Sequence, residues 1–205
     1  MLQSTQQQSS NEIAACQALV YNLLLRSGMR AEAQGVGVAI GIVSAHSGAG
    51  VTHVQQLLSD MLNENEKGSA IAVDCLTMRG AADSSLVRQS NHNGVKPVKW
   101  NELVSRSVIG RYQDRIDQIE ELKRAYSYVL LDCHSLKAHT DVLGMAKALD
   151  GIIVVVEADR TTKTQLSYLV RSIEEYGGRI LGHVLNKRIY PIPAWLNSKM
   201  ERMGI

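Results

Sequence analysis

Hydrophobic positions follow two alternating rhythms along this chain: short unbroken apolar runs, and longer stretches with apolar residues three and four apart. The unbroken runs are Val36–Ala45, Ala70–Cys75, Tyr128–Cys133, Gly151–Glu157 and Ile180–Asn186. Their small and β-branched residues suit strands buried on both faces of a parallel sheet. Helical spacing appears over Asn11–Arg30 (Ile13, Cys16, Val20, Leu23, Leu24), Val51–Asn63 (Val54, Leu57, Leu58, Met61, Leu62) and Arg111–Arg124 (Ile116, Ile119, Leu122), and briefly through Leu143, Ala146 and Leu149. Thr162 and Gln165 form a capping-box pattern ahead of Leu166, Leu169, Val170 and Ile173, and Gly177-Gly178 ends that helix. Strands alternating with helices imply right-handed crossovers, so the expected fold is α/β, doubly wound, with a mainly parallel sheet covered by helices on both faces.

The Gln/Ser-rich start, residues 1–10, is expected to be a flexible tail, and residues 11–205 one domain. Residues 78–100, with RQSNHNGVKPVKW, read as an irregular exposed excursion in which Arg79 shows no legible partner and Lys96–Lys99 with Trp100 makes a small basic stretch. Pro191 and Pro193 introduce a last amphipathic turn over Trp195–Met203. Apolar residues make up 45% of the 205 and charged ones 20%, with a net charge of +2 and the two signs interspersed, so bulk charge points to neither nucleic acid nor an anionic membrane. Cys16, Cys75 and Cys133 have no metal-site spacing; two of them lie in strands and are expected to be buried thiols in a reducing compartment. No run reaches membrane-spanning length and the N-terminus lacks signal-peptide features, so a cytoplasmic protein is expected.

The chemistry gathers at the carboxyl ends of the strands, where sheets of this kind bind ligands. Ile40–His53, IGIVSAHSGAGVTH, runs from a strand through glycines into a helix, an arrangement that turns backbone N–H groups and a helix N-terminus toward an anion. A working phosphate loop adds a Lys for the β/γ oxygens and a Ser/Thr for Mg²⁺; here Thr52 is present, but the Lys position is Val51. The strands ending in Asp74, Asp132 and Asn186 place two acids and an amide beside that loop. His53 reads as a solvent-facing or capping residue, and His134, next to Asp132, as a hydrogen-bonded structural residue rather than a general base. Tyr128 is expected in the core and Tyr126 at its boundary.

Taken together, VSAHSGAGVTH, IAVDC, YVLLDC, DVLGMAKALDGIIVVVE and LGHVLNKRIYPIPAWL resemble the deviant-Walker P-loop ATPases of the MinD/ParA class, and within it the bacterial tyrosine kinase domains of exopolysaccharide biosynthesis. The likeness runs from about Ala14 to Leu196. It implies a P-loop NTPase-like fold in which His46, Ser47, Gly48, Ala49, Gly50, Val51 and Thr52 would face the phosphates and Asn186 the adenine. Thr52, Asp74 and Asp132 would surround Mg²⁺, the two acids also serving catalysis if the site is active. The loop departs from the family's SAxPGEGKST at Ser47, Ala49 and Val51, and Leu76 replaces the second acid of the DxD motif. Cys133-His134 stand where Thr-Pro follows the Walker B acid; Ala14, Gln17 and Val20 occupy charged oligomerisation positions; no tyrosine cluster precedes Ile205. His46 sits where MinD/ParA proteins carry their signature Lys, and a neutral imidazole is a poor substitute. The resemblance therefore implies an impaired ATPase or tyrosine-kinase-like protein with ATP/ADP and Mg²⁺ binding weak or lost, serving as a regulatory or scaffold module. The alternatives are a nucleotide-binding switch, or an active kinase with a rebuilt site. The implied partner is an exopolysaccharide assembly protein, such as a membrane-anchored chain-length regulator that would hold the domain at the inner membrane; a homodimer is also implied, and nucleic acid is not.

Overall fold

The computed structural model describes residues 36–65, 69–75 and 108–188. The expected tail, the first helix over 11–30, the excursion over 78–100 and the closing turn over 195–203 lie outside the described residues. Within them the chain runs β1 (Val38–Ser44), α1 (Val51–Asn65), β2 (Ala70–Asp74), α2 (Val108–Ala125), β3 (Tyr128–Ser135), α3 (Asp141–Met145), β4 (Gly151–Glu157), α4 (Lys163–Glu175) and β5 (Ile180–Asn186). The strands form one sheet in the order β2-β3-β1-β4-β5, and every neighbouring pair is parallel. The five strands expected from the apolar runs are all there.

Side chains alternate across β1, and each face has its own core. Val38, Ile40 and Ile42 pack with Val51, Val54 and Leu58 of α1, while Ala39 and Val43 face Ile119 and Leu122 of α2, Met145 of α3, and Leu169 and Ile173 of α4. Helices therefore cover both faces. Gln55 reaches from α1 under the sheet, where its Nε2 donates to the carbonyls of Val73 (2.9 Å) and Leu130 (2.7 Å), joining β2 to β3. Asp150 accepts from the Ala39 N–H (2.8 Å) and pairs with Lys123 (3.0 Å), which fixes the opening of β1 against α2.

Smaller expectations sort themselves by burial. Thr162 and Gln165 form the full reciprocal capping box at the start of α4. The helix expected through Leu149 is shorter, ending at Met145. Tyr126 and Tyr128 are both half-buried, on opposite cores, so Tyr128 is a boundary residue like its neighbour. A buried pair that periodicity does not reveal, Arg115 with Asp141 (3.1 Å), ties α2 to the start of α3.

Candidate functional site

Because all five strands are parallel, their carboxyl ends share one edge, and the glycine loop between β1 and α1 crosses it. Gly48 and Gly50 adopt left-handed backbone angles (φ 85° and 95°), which a Cβ disfavours. At Gly50 a Cβ would stand 2.2 Å from Asn186 Nδ2, so any side chain there would have to displace the Asn186 amide. Helix α1 then begins at Val51, whose side chain is 7% exposed and belongs to the core with Ile40, Ile42, Ala49 and Val54. The position at which the resemblance would place a lysine thus holds a packed hydrophobe.

Thr52 and the two strand-end acids are brought together. Thr52 Oγ1 donates to Asp132 Oδ2 at 2.5 Å, and the other oxygen of this buried carboxylate accepts the His134 N–H at 2.9 Å. His134 takes a left-handed backbone (φ 55°), which turns its ring toward β2, and Nε2 lies 2.8 Å from Asp74 Oδ1. A carboxylate acceptor there fixes the proton on Nε2. The hydrogen bonding expected of His134 is present. Thr52 and Asp132 offer the hard oxygen donors that suit Mg²⁺, whereas Asp74 is engaged by imidazole, so the set fits such an ion in part.

A second cluster occupies the other side of the loop and was not singled out in the sequence. Glu157, at the end of β4, is buried among His46 (Nδ1 at 3.7 Å), Arg160 (3.3 Å) and Lys187 (3.1 Å). Burial pushes its carboxyl up, but the hydrogen bond and charge of Lys187, with the charges of Arg160 and His46, outweigh that and hold it below its ordinary value. Lys187 also has a left-handed backbone (φ 58°) and donates Nζ to the Gly48 carbonyl. Asn186 Nδ2 donates to the Ala49 carbonyl (2.8 Å), and its Oδ1 accepts from the Lys187 N–H. His46 Nε2 meets Thr161 Oγ1 (3.0 Å), and Ser47 Oγ meets Ser135 Oγ (3.1 Å). His53 is exposed. The signal for Glu157 was available: like β2 and β3, its strand is an apolar run ending in an acid.

The structural neighbours share this arrangement of strands. The kinase domain of the Escherichia coli tyrosine kinase ETK superposes with a TM-score of 0.61 at 18% identity, over 88% of this chain and 78% of that one. The VpsO kinase domain gives a TM-score of 0.64 at 16% identity, over 90% and 98%. The fold is that of a bacterial tyrosine kinase domain. A ParA family ATPase from Chlorobium tepidum shares it more distantly, with a TM-score of 0.51 at 14% identity over 80% of this chain and 79% of that one. In sequence, the tyrosine-protein kinase CpsD of Streptococcus agalactiae is 30% identical over 69 residues, 34% of this chain and 30% of CpsD. The matched stretch thus spans about a third of the length of that relative. No family model matches the chain.

Proposed function

We propose that this kinase-like domain does not transfer phosphate and acts as a regulatory or scaffold module in exopolysaccharide assembly, docked on a membrane-anchored chain-length regulator at the cytoplasmic face of the inner membrane. The observation that carries the first half is Val51: the helix position that presents a lysine in a working P-loop holds a core hydrophobe, 7% exposed. A charge-assisted hydrogen bond contributes about 1.5–3 kcal/mol, and phosphoryl transfer relies almost wholly on such positioning and charge. Pathway and partner rest on the likeness to exopolysaccharide tyrosine kinases alone. Among the described residues no helix is long and apolar enough to cross a membrane.

A second reading, a nucleotide-binding switch without hydrolysis that pairs with another copy across the loop face, is favoured by the Thr52–Asp132 contact and by the cations Lys187 and Arg160 beside Gly48. In that case Thr52 and Asp132 would hold Mg²⁺ together with the nucleotide's own oxygens. Two measurements separate the possibilities. Incubation with labelled Mg-ATP is expected to leave the protein's tyrosines unlabelled, and incorporation that disappears on Asp132→Ala would overturn the proposal. Calorimetric titration with Mg-ATP and Mg-ADP shows no saturable heat for a scaffold and a saturable, non-turning-over site for a switch.

A further inference from the structure

The two strand-end acids are each followed by a cysteine, and these cysteines touch. Cys75 Sγ and Cys133 Sγ are 3.3 Å apart, both residues are 2% exposed, and both are free thiols. Asp74 and Asp132 are register partners of the parallel pair β2/β3, and the Cys75 N–H donates to the Asp132 carbonyl at 3.0 Å, so the hydrogen-bonded ladder continues to the cysteines. Neighbouring strands lie about 4.7–4.9 Å apart, inside the Cα separation of about 4.4–6.8 Å that a disulfide spans. The two sulfurs, now 3.3 Å apart, must close to about 2.05 Å to bond.

We propose that Cys75 and Cys133 are an oxidisable pair that closes to an intramolecular disulfide, with a peroxide as the oxidant class. In the first step one thiol sulfur takes an oxygen from hydrogen peroxide: the O–O bond breaks, an S–O bond forms and one water leaves. In the second the other thiol attacks that sulfenyl sulfur, the S–S bond forms, the S–O bond breaks and a second water leaves. Two thiols are oxidised by two electrons and one peroxide is reduced to two waters. Proximity decides the product, because the sulfenic acid forms with its resolving thiol already in contact. The bond would join the residue after β2 to Cys133 within β3, each one position beyond Asp74 and Asp132, the carboxylates that flank His134. Burial makes the reaction slow, so prolonged treatment with a small oxidant is the appropriate probe.

The test is intact-mass analysis and non-reducing peptide mapping of the full chain after treatment with hydrogen peroxide, beside the same chain oxidised in denaturant. The expected product of the folded protein is a monomer lighter by two hydrogen atoms, with the peptide containing Cys75 joined to that containing Cys133. Cys16→Ser is expected to keep that link, and Cys75→Ser to lose it. Slower hydrogen exchange at the Cys75 amide is expected in the oxidised form. Linkage through Cys16, oxygen addition without a crosslink, or a folded protein that stays reduced while the denatured chain crosslinks would each overturn the assignment. If Cys75→Ser does not fold, the wild-type peptide map decides alone.

Discussion

Replacing Val51 by lysine separates a worn phosphate site from a closed one. Val51 is 7% exposed and packs against Ile40, Ile42 and Val54, so the new aliphatic stem would occupy space already apolar while its ammonium extended toward the loop. Disturbed packing is expected to cost about 1–3 kcal/mol, and the melting temperature should fall by about 2–4 °C per kcal/mol. If the cradle formed by Gly48, Gly50 and Thr52 is open, one or two charge-assisted bonds of about 1.5–3 kcal/mol each would raise Mg-ATP affinity by roughly ten- to a thousandfold. Val51→Met carries a flexible stem without the charge and isolates the packing effect. The assay is calorimetric titration of wild type, Val51→Lys and Val51→Met with Mg-ATP, with melting curves of all three. A Val51→Lys protein that melts like Val51→Met yet gains no affinity over it would refute the reasoning. The ties from Asn186 to the Ala49 carbonyl and from Lys187 to the Gly48 carbonyl would then be what holds the loop shut.

Three other outcomes follow from the geometry. Gln55→Leu removes two buried hydrogen bonds to β2 and β3, and should lower stability by about 1–3 kcal/mol in a urea titration; an unchanged midpoint would remove Gln55 as a bridge. Glu157 has a folded-state value lowered from 4.5, so its contribution is present above that pH and is lost as pH falls through the lower folded value. Wild type should therefore lose stability more steeply than Glu157→Gln on acidification below 4.5, and parallel melting-temperature curves would contradict this. Gly50→Ala puts a Cβ 2.2 Å from Asn186 Nδ2 at φ 95°, and should cost about 1–2 kcal/mol from backbone strain alone, with loss of the Asn186 contact visible in its side-chain amide resonances; an unshifted resonance would count against the close packing.

The central strands were legible because they are buried on both faces and so read as unbroken apolar runs, from VAIGIVS in β1 to GIIVVVE in β4, whereas the edge strand β5 is only half-buried and carries Gly182 and His183 within its run. The loop, Thr52, Asp74, Asp132 and Asn186 were legible because strand ends and glycine spacing are local signals. What stayed hidden depends on handedness and on distance along the chain. Nothing local says that His134 and Lys187 take φ near +55° to +60°, yet that turn aims one at Asp74 and brings the other to Glu157 and Gly48. Lys187, which shares Glu157 with His46, stands 141 positions after it by the numbering (187 − 46). Arg115 is buried in a helix rich in charged residues, and no local signal shows it because its partner, Asp141, belongs to another element.

The braces on the glycine loop come from remote parts of the chain: Asp132 is 80 positions from Thr52, Ser135 is 88 from Ser47, and Asn186 is 137 from Ala49. Residues 45–50 are therefore translated early and shaped late. A ribosome that has completed β1, α1 and even β3 has made a glycine loop whose Ala49 and Gly48 carbonyls still await their donors. Those donors emerge with the last residue of β5 and the one after it, so the ties to the Ala49 and Gly48 carbonyls are completed only when that edge strand docks. Whatever this face meets in the cell, it can meet in its final shape only after residue 187 has left the ribosome, which makes the shape of the loop a report that the sheet has been finished.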